Sequence, residues 1–343
     1  MQKKVGKFVY FSKQTTAMIA IAVGVLVLVF GGLLIELLRP MGADSQKTQL
    51  ISVTKGMAAD EVADVLHKQG LIRYSLSFRL LVKLQGKQNS LQAGDYLVAS
   101  TMTPQTTLNK ITAGEFAQNK ITIPEGFTIA QIAALLEEKH IVGAATFKEA
   151  ARIYQPFEYT KASPNTAYAA EGFLFPDTYM VGYKMKAEDV LQLMSARFDR
   201  QFTPAMREQA NSRGLSIRET IIMASLVEKE AQFAEERPII AAVFFKRLKL
   251  GMPLQSCASI QYILGYPKAE LSIKDTEIVS PYNTYLNSGL PPGPIANPGL
   301  AAIKAVLEHG DTEYLYFVAD KTGRHHFSKT YDEHLAAIKR IGE

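Results

Sequence analysis

Two glutamates two positions apart, Glu228 and Glu230, are the residues whose type and spacing best suit acid–base chemistry. Ser216-Ile-Arg-Glu219 reads as a capping box, and the segment from Thr220 to Arg237 reads as the helix it starts. At 100° per residue, Met223, Leu226, Val227, Phe233 and Ala234 fall within about 60° of Glu230. Glu228 falls about 160° away, beside Ile221 and Ala224. A carboxyl centred on an apolar stripe has its charged form disfavoured, so it stays protonated and can give a proton to a leaving oxygen. The competing reading is a buried carboxylate paired with Lys229 or Arg237, which would weaken an acid role.

Other segments bring hydrogen-bonding side chains. Gln255 and Ser256 follow a helix that begins near Pro238, ends on Lys246, Arg247 and Lys249, and stops at Gly251. Tyr282-Asn-Thr-Tyr285 precedes Gly289-Leu-Pro-Pro-Gly-Pro-Ile-Ala-Asn-Pro-Gly299, with four prolines and three glycines in eleven residues. Asn, Thr, Tyr and Gln beside rigid turns are the usual equipment of a sugar site. Asn297 also reads as the N-cap of a helix over 298–308. Glu171-Gly-Phe-Leu-Phe-Pro-Asp-Thr-Tyr179 is either a core plug or an aromatic wall on which sugar rings stack. Tyr314 to Val318 reads as a strand, and His325-His326-Phe327-Ser328 as its hairpin partner. Adjacent strand residues point to opposite faces, so the two histidines do not form a metal pair. With one cysteine, Cys257, the 343 residues have no intrachain disulfide.

The elements that position these residues begin with a repeat. Ile51 to Ile72 and Ile121 to Val142 align without gaps, each a short β run, a glycine at position six and an amphipathic helix. The identities are Ile51/Ile121, Gly56/Gly126, Ala63/Ala133 and Leu66/Leu136. The pattern resembles LysM-like modules, and both a packing scaffold and a carbohydrate contact fit it. Leu91 to Val98 reads as a strand with a Gly-Asp turn. Ahead of the repeat, Ala17 to Ile35 holds nineteen residues without a charge and approaches the length that spans a bilayer. Lys3, Lys4, Lys7 and Lys13 precede this run, and Arg39 follows it. That asymmetry predicts a cytoplasmic N-terminus and an exported body. A cleaved signal peptide fits less well, because its apolar core is shorter. Of the net charge of +5, the first fourteen residues supply +4, so the body is nearly neutral and suits an uncharged polymer better than nucleic acid.

The segments ASLVEKE (224–230), RLKLGMPLQS (247–256), YNTY (282–285), GLPPGPIANPG (289–299), YLYFVAD (314–320) and HHFS (325–328) resemble the YceG/MltG family of endolytic murein transglycosylases. EGFLFPDTY (171–179) and the repeat match it too, so the resemblance covers nearly the whole chain. It implies an α+β protein: a cytoplasmic basic arm over 1–16, a transmembrane helix over 17–38, a LysM-like β/α region over 48–145, and a mainly helical catalytic domain with a small β element over 146–343. It implies a single-pass protein of the cell membrane, facing the wall, that cuts nascent peptidoglycan strands between N-acetylmuramic acid and N-acetylglucosamine and leaves 1,6-anhydro ends. The family's catalytic glutamate maps onto Glu230, acting as acid and then as base. Gln255, Tyr282, Asn283 and Glu228 are candidate substrate contacts. The resemblance implies no metal or other cofactor and no nucleic-acid partner, with cell-wall synthases as neighbours. A non-catalytic peptidoglycan-binding scaffold and a hydrolase that adds water are the rival readings. One position departs from the family: where many members read Leu-Gln-Thr/Ser-Asp, this chain reads Leu254-Gln255-Ser256-Cys257.

Overall fold

The structure is a computed structural model that describes residues 13–42, 47–183, 185–268 and 271–342. Lys3, Lys4 and Lys7 of the basic arm lie outside the described residues. Helix α1 (Lys13–Leu38) carries the apolar run. Its segment Ala17–Leu38 is long and apolar enough to cross a membrane, which is compatible with an anchor.

The chain forms two units that divide between Ala117 and Gln118. In the first, β1 (Thr48–Val53), α2 (Ala59–Lys68), α3 (Ser75–Leu84) and β2 (Gly94–Ala99) follow one another, and β1 pairs antiparallel with β2. Helix α4 (Pro104–Ala113), capped by Thr103, closes the unit. Gly94 and Asp95 are strand residues, not a turn. The core gathers Ile51, Leu66, Ile72, Phe78, Tyr96 and Leu108, all at most 1% exposed.

The second unit opens with the same order: β3 (Gln118–Thr122), α5 (Ile129–Glu138), α6 (Ala144–Ile153) and β4 (Thr178–Gly182), with β3 antiparallel to β4. The repeat read in the sequence as β–turn–α is therefore β–α–α–β. Ile51 faces Tyr96 across the first ladder and Ile121 faces Tyr179 across the second. Each tyrosine is buried, and each hydroxyl donates to the carbonyl four residues earlier, Tyr96 to Gln92 at 2.7 Å and Tyr179 to Phe175 at 2.5 Å. The boundary expected after residue 145 falls inside α6 of this second copy. Because β3 pairs with β4, residues 118–182 fold with the chain that follows them rather than with the first unit.

That chain continues as α7 (Ala187–Gln201), α8 (Pro204–Ser212), α9 (Ile217–Glu230), α10 (Arg237–Lys249), α11 (Cys257–Leu264), α12 (Ile273–Thr276), α13 (Leu300–Glu308), a hairpin of β5 (Tyr316–Ala319) and β6 (His325–Ser328), and α14 (Tyr331–Gly342). Helix α9 is central and is packed by α8, α10, α11 and α13. Phe173, Leu174 and Phe175 are core residues, so the aromatic stretch plugs the interior. Phe173 meets Phe198 edge-on at 5.4 Å.

Candidate active site

Helix α9 starts as the capping box predicts: the Glu219 amide donates to Ser216 Oγ at 3.1 Å, and the Ser216 amide donates to the Glu219 carboxylate at 2.9 Å. Thr220 to Val227 are buried without a break, so the helix has no solvent face over its last two full turns before Glu228. A wheel separates a buried from an exposed side only where an exposed side exists. Here Ile221 and Ala224 are as buried as Met223 and Leu226, and the two glutamates are not distinguished that way.

The helix also stops seven residues earlier than the sequence suggests. Ala231 is extended (φ −79°, ψ 116°), directly after Glu230. No glycine or proline ends it. Instead the connection is held by the β5–β6 hairpin: Arg324 lies 4.1 Å from the Phe233 ring, Glu235 pairs with Arg324 at 3.1 Å, and Glu236 accepts from the His325 amide at 3.1 Å. Phe233, Ala234 and Arg237 are thus off the helix, and Arg237 turns back to Glu228 at 3.7 Å rather than to Glu230.

Three carboxyls surround this end of the fold in different states. Glu171 is fully buried, and burial pushes it up to about 8 against hydrogen bonds from the Ile129 amide, Tyr262 and Asn297. Glu228 has a side chain 7% exposed and accepts from the Gly299 amide at 3.0 Å, immediately before α13. Burial raises it, the Gly299 amide opposes that, and the Glu125 carboxylate adds to the rise. Glu230 is half-buried at the exposed end of α9. Its Oε1 accepts from Ser256 Oγ in a short hydrogen bond and from the Ala258 amide at 3.3 Å. Among the described residues no hydrogen bond reaches its Oε2.

The oxygen that grips Glu230 is itself fixed. The Ser256 amide donates to Thr284 Oγ1 at 2.9 Å, and the Gln255 amide donates to the Thr284 carbonyl at 3.0 Å. Ser259 Oγ sits 2.9 Å from Thr284 Oγ1 and donates to the Ser256 carbonyl at 2.8 Å. Ser256, Ser259 and Thr284 are all at most 1% exposed. The sequence brings Ser256 and Thr284 forward only as hydrogen-bonding residues of their segments, and Ser259 not at all. Two serines one helical turn apart, Ser256 and Ser259, are the available signal.

The structure brings Gln255 to this loop, exposed and in the left-handed region (φ 52°), where its Oε1 accepts from Arg247 Nη2 at 2.7 Å. Arg247 also donates to the Leu254 carbonyl at 2.9 Å. Tyr282 is 5% exposed, and its hydroxyl accepts from the Ala167 amide at 3.1 Å. Asn283 is fully buried; it donates to the carbonyls of Thr276 and Ile278 at 2.9 and 2.8 Å and accepts from the Tyr285 amide at 2.9 Å. These two side chains fasten the loop that presents Thr284 and Tyr285. Cys257 Sγ lies 3.1 Å from the Tyr285 hydroxyl; burial raises the thiol, and the Glu230 carboxylate adds to it.

Asn297 is not the N-cap of α13. Gly299 takes that position. Asn297 Nδ2 donates to Phe127 O at 2.9 Å and to Glu171 at 3.1 Å, while its Oδ1 accepts from the Leu174 amide at 2.9 Å. Its backbone exchanges two more bonds with the second repeat, Gly126 N to Asn297 O at 2.8 Å and Asn297 N to Phe127 O at 2.9 Å. The turn of that repeat is thereby bound to the segment beside Glu228.

A half-exposed carboxyl with one anchored oxygen, set among hydroxyls at the end of a buried helix, is equipped to exchange a proton. The YceG-like family matches residues 51–340, and the chain belongs to that family. It is 33% identical over 329 residues to the endolytic murein transglycosylase of Bacillus subtilis (strain 168), covering 91% of each chain. It is 32% identical to the endolytic murein transglycosylase of Streptococcus pneumoniae serotype 2 (strain D39), over 88% of this chain and 59% of that longer relative. The crystal structure of a yceG-like protein from Listeria monocytogenes aligns with a TM-score of 0.59 and 30% identity, over 85% of this chain and all of that one.

Proposed function

We propose that this protein is a membrane-anchored endolytic murein transglycosylase whose proton-transfer group is Glu230. The observation that carries the assignment is the asymmetry of that carboxyl, with Oε1 tied to Ser256 and Ala258 and Oε2 without a partner among the described residues. Glu228 and Glu171 have no such free oxygen facing outward. The family and the names of the relatives supply the substrate, murein, and the mode of cutting, within the strand.

In the reaction, Glu230 gives its proton to the oxygen linking N-acetylmuramic acid to N-acetylglucosamine as that bond breaks. It then takes the proton of the muramic C6 hydroxyl as O6 closes onto C1, leaving a 1,6-anhydro end. One group serves twice, and no second carboxylate or water nucleophile enters, unlike the two-carboxylate hydrolases. Ser256 and Ala258 hold the carboxyl through both steps. Gln255, exposed on the same loop, contacts the glycan; Glu228 fixes the start of α13 and the backbone beside the site; Tyr282 and Asn283 shape the substrate loop from beneath. The apolar helix anchors the chain, with the lysine-rich end in the cytoplasm and the body on the wall side, where cell-wall synthases supply nascent strands.

The test is product analysis on nascent, uncrosslinked glycan. Glu230→Gln is expected to lower formation of anhydro ends by at least about 10³-fold, within the range of acid–base catalysis, while far-ultraviolet dichroism is unchanged. Wild-type rates from the folded variant would remove Glu230 from the mechanism. Products heavier by one water would make the enzyme a hydrolase, and binding without new ends would make it a scaffold.

A further inference from the structure

The two copies of the β–α–α–β motif present the same turn in two states. In each, a glycine in the left-handed region sits between strand and helix, Gly56 at φ 85° and Gly126 at φ 74°. The next amide bonds back three residues, Met57 N to Thr54 O at 3.1 Å and Phe127 N to Pro124 O at 3.4 Å. In the second copy the outward Gly126 N–H and Phe127 C=O grip the backbone of Asn297, whose place before Pro298 favours an extended chain. In the first copy the equivalent Gly56 N–H and Met57 C=O have no partner among the described residues, and they border a cleft of about 680 Å³. Its walls are the turn from Thr54 to Asp60 and the stretch Gln88, Asn89, Leu91 and Ala93 ahead of β2.

The charge beside the grip is reversed between the copies. Glu125 of the second turn packs against Gly299, two residues beyond the gripped Asn297, in the space a side chain there would occupy. Its counterpart is Lys55, which is exposed and has no ion pair among the described residues, while Asp60 of the same cleft pairs with Arg79 at 3.4 Å. A segment held as Asn297 is held would place its second following residue near this ammonium, and a carboxylate there is the complement.

We propose that the first copy is a binding site for an extended, carboxylate-bearing peptide, and that its ligand is the peptide stem of murein. The choice of the murein stem rests on the function proposed above; the peptide chemistry rests on the second copy alone. Backbone donor and acceptor side by side recognise a peptide whatever its side chains. The stem carries free carboxylates along its length and at its end, and every uncut strand displays many copies of it. Such a site retains a strand near the enzyme between cuts.

Hydrogen–deuterium exchange on the full chain in detergent micelles tests this. The probes are the pentapeptide L-Ala-γ-D-Glu-L-Lys-D-Ala-D-Ala, the same peptide with its carboxylates amidated, and an N-acetylglucosamine hexamer. The acidic pentapeptide is expected to slow exchange over residues 54–60 about tenfold when present at ten times its dissociation constant. The amidated peptide is expected to protect far less, and Lys55→Glu to lose the protection without a change in melting temperature. Protection by the hexamer but not by the pentapeptide would make this a sugar site and overturn the proposal, as would protection by neither. Undiminished protection in Lys55→Glu would overturn the charge assignment. No bond is cut in this measurement, so its failure is separate from any failure of the Glu230 assay.

Discussion

Ser256 donates its hydroxyl to Oε1 of Glu230 while its own amide is held by Thr284, so the carboxyl is oriented by a residue with no freedom to follow it. This makes Ser256 a positioning residue. Ser256→Ala is expected to lower kcat by about tenfold or more, the equivalent of about 1.4 kcal/mol of barrier, with KM nearly unchanged. Ser256→Thr keeps the hydroxyl and should restore most of the rate. Steady-state kinetics on uncrosslinked glycan separates this from a loss of packing, which neither variant would rescue.

Thr284 is the buried acceptor behind that contact. Thr284→Val keeps the shape and leaves the Ser256 amide without its partner. An unmet buried donor costs about 1–3 kcal/mol, so the denaturant midpoint should fall accordingly. Activity should fall with it, because the Ser256 carbonyl and hydroxyl lose their frame.

Glu171 sets a pH dependence of stability. Its carboxyl is near its ordinary value in the unfolded chain and about 8 in the fold. The unfolded state therefore releases its proton first as pH rises. Stability from this residue is fully present below about pH 4.5 and is lost progressively as pH rises through about 8. Glu171→Gln imitates the protonated form, with an amide able to donate to Tyr262. Its melting temperature should exceed that of the wild type by a margin that widens from pH 5 to pH 8. Parallel curves would show that the buried carboxyl does not titrate in this range.

A smaller prediction comes from matched helix ends. The helix in the first copy ends on Gly70 (φ 69°), and Leu71 N returns to Leu66 O at 2.9 Å. The second copy makes the same turn through His140 (φ 55°), with Ile141 N to Leu136 O at 2.9 Å. A side chain in the left-handed region costs about 1–2 kcal/mol. His140→Gly should therefore raise stability by about 1 kcal/mol in urea denaturation, after the entropy glycine adds to the unfolded chain.

Part of the fold is legible in the sequence, and what is not has physical causes. The first strand and helix of each repeat stand at a constant offset, so their match is visible. The closing strands are not: β4 arrives late because residues 154–177, with the Phe173–Phe175 plug, are inserted ahead of it. Residue type and family resemblance both point to Glu230, yet the apolar stripe invoked for it does not single it out. Helix α9 is buried all round and stops on Glu230 through contacts made by a hairpin ninety residues downstream, which no local signal announces. Tyr282 and Asn283 look like sugar ligands because polar side chains in a turn-rich stretch resemble a site. Buried, the same atoms satisfy the turns themselves.

The differing states of the two matched turns have a consequence for how such a protein can change. Every hydrogen bond described around Glu230 lies between residues 118 and 343. The second motif is spliced into that network through Gly126, Phe127 and Ile129, so altering its turn disturbs Glu171, Asn297 and the start of α13 together. In the first motif the matching Gly56 N–H and Met57 C=O have no partner among the described residues. Of two copies of one motif, the one whose turn is unengaged can be altered at that turn without disturbing those bonds.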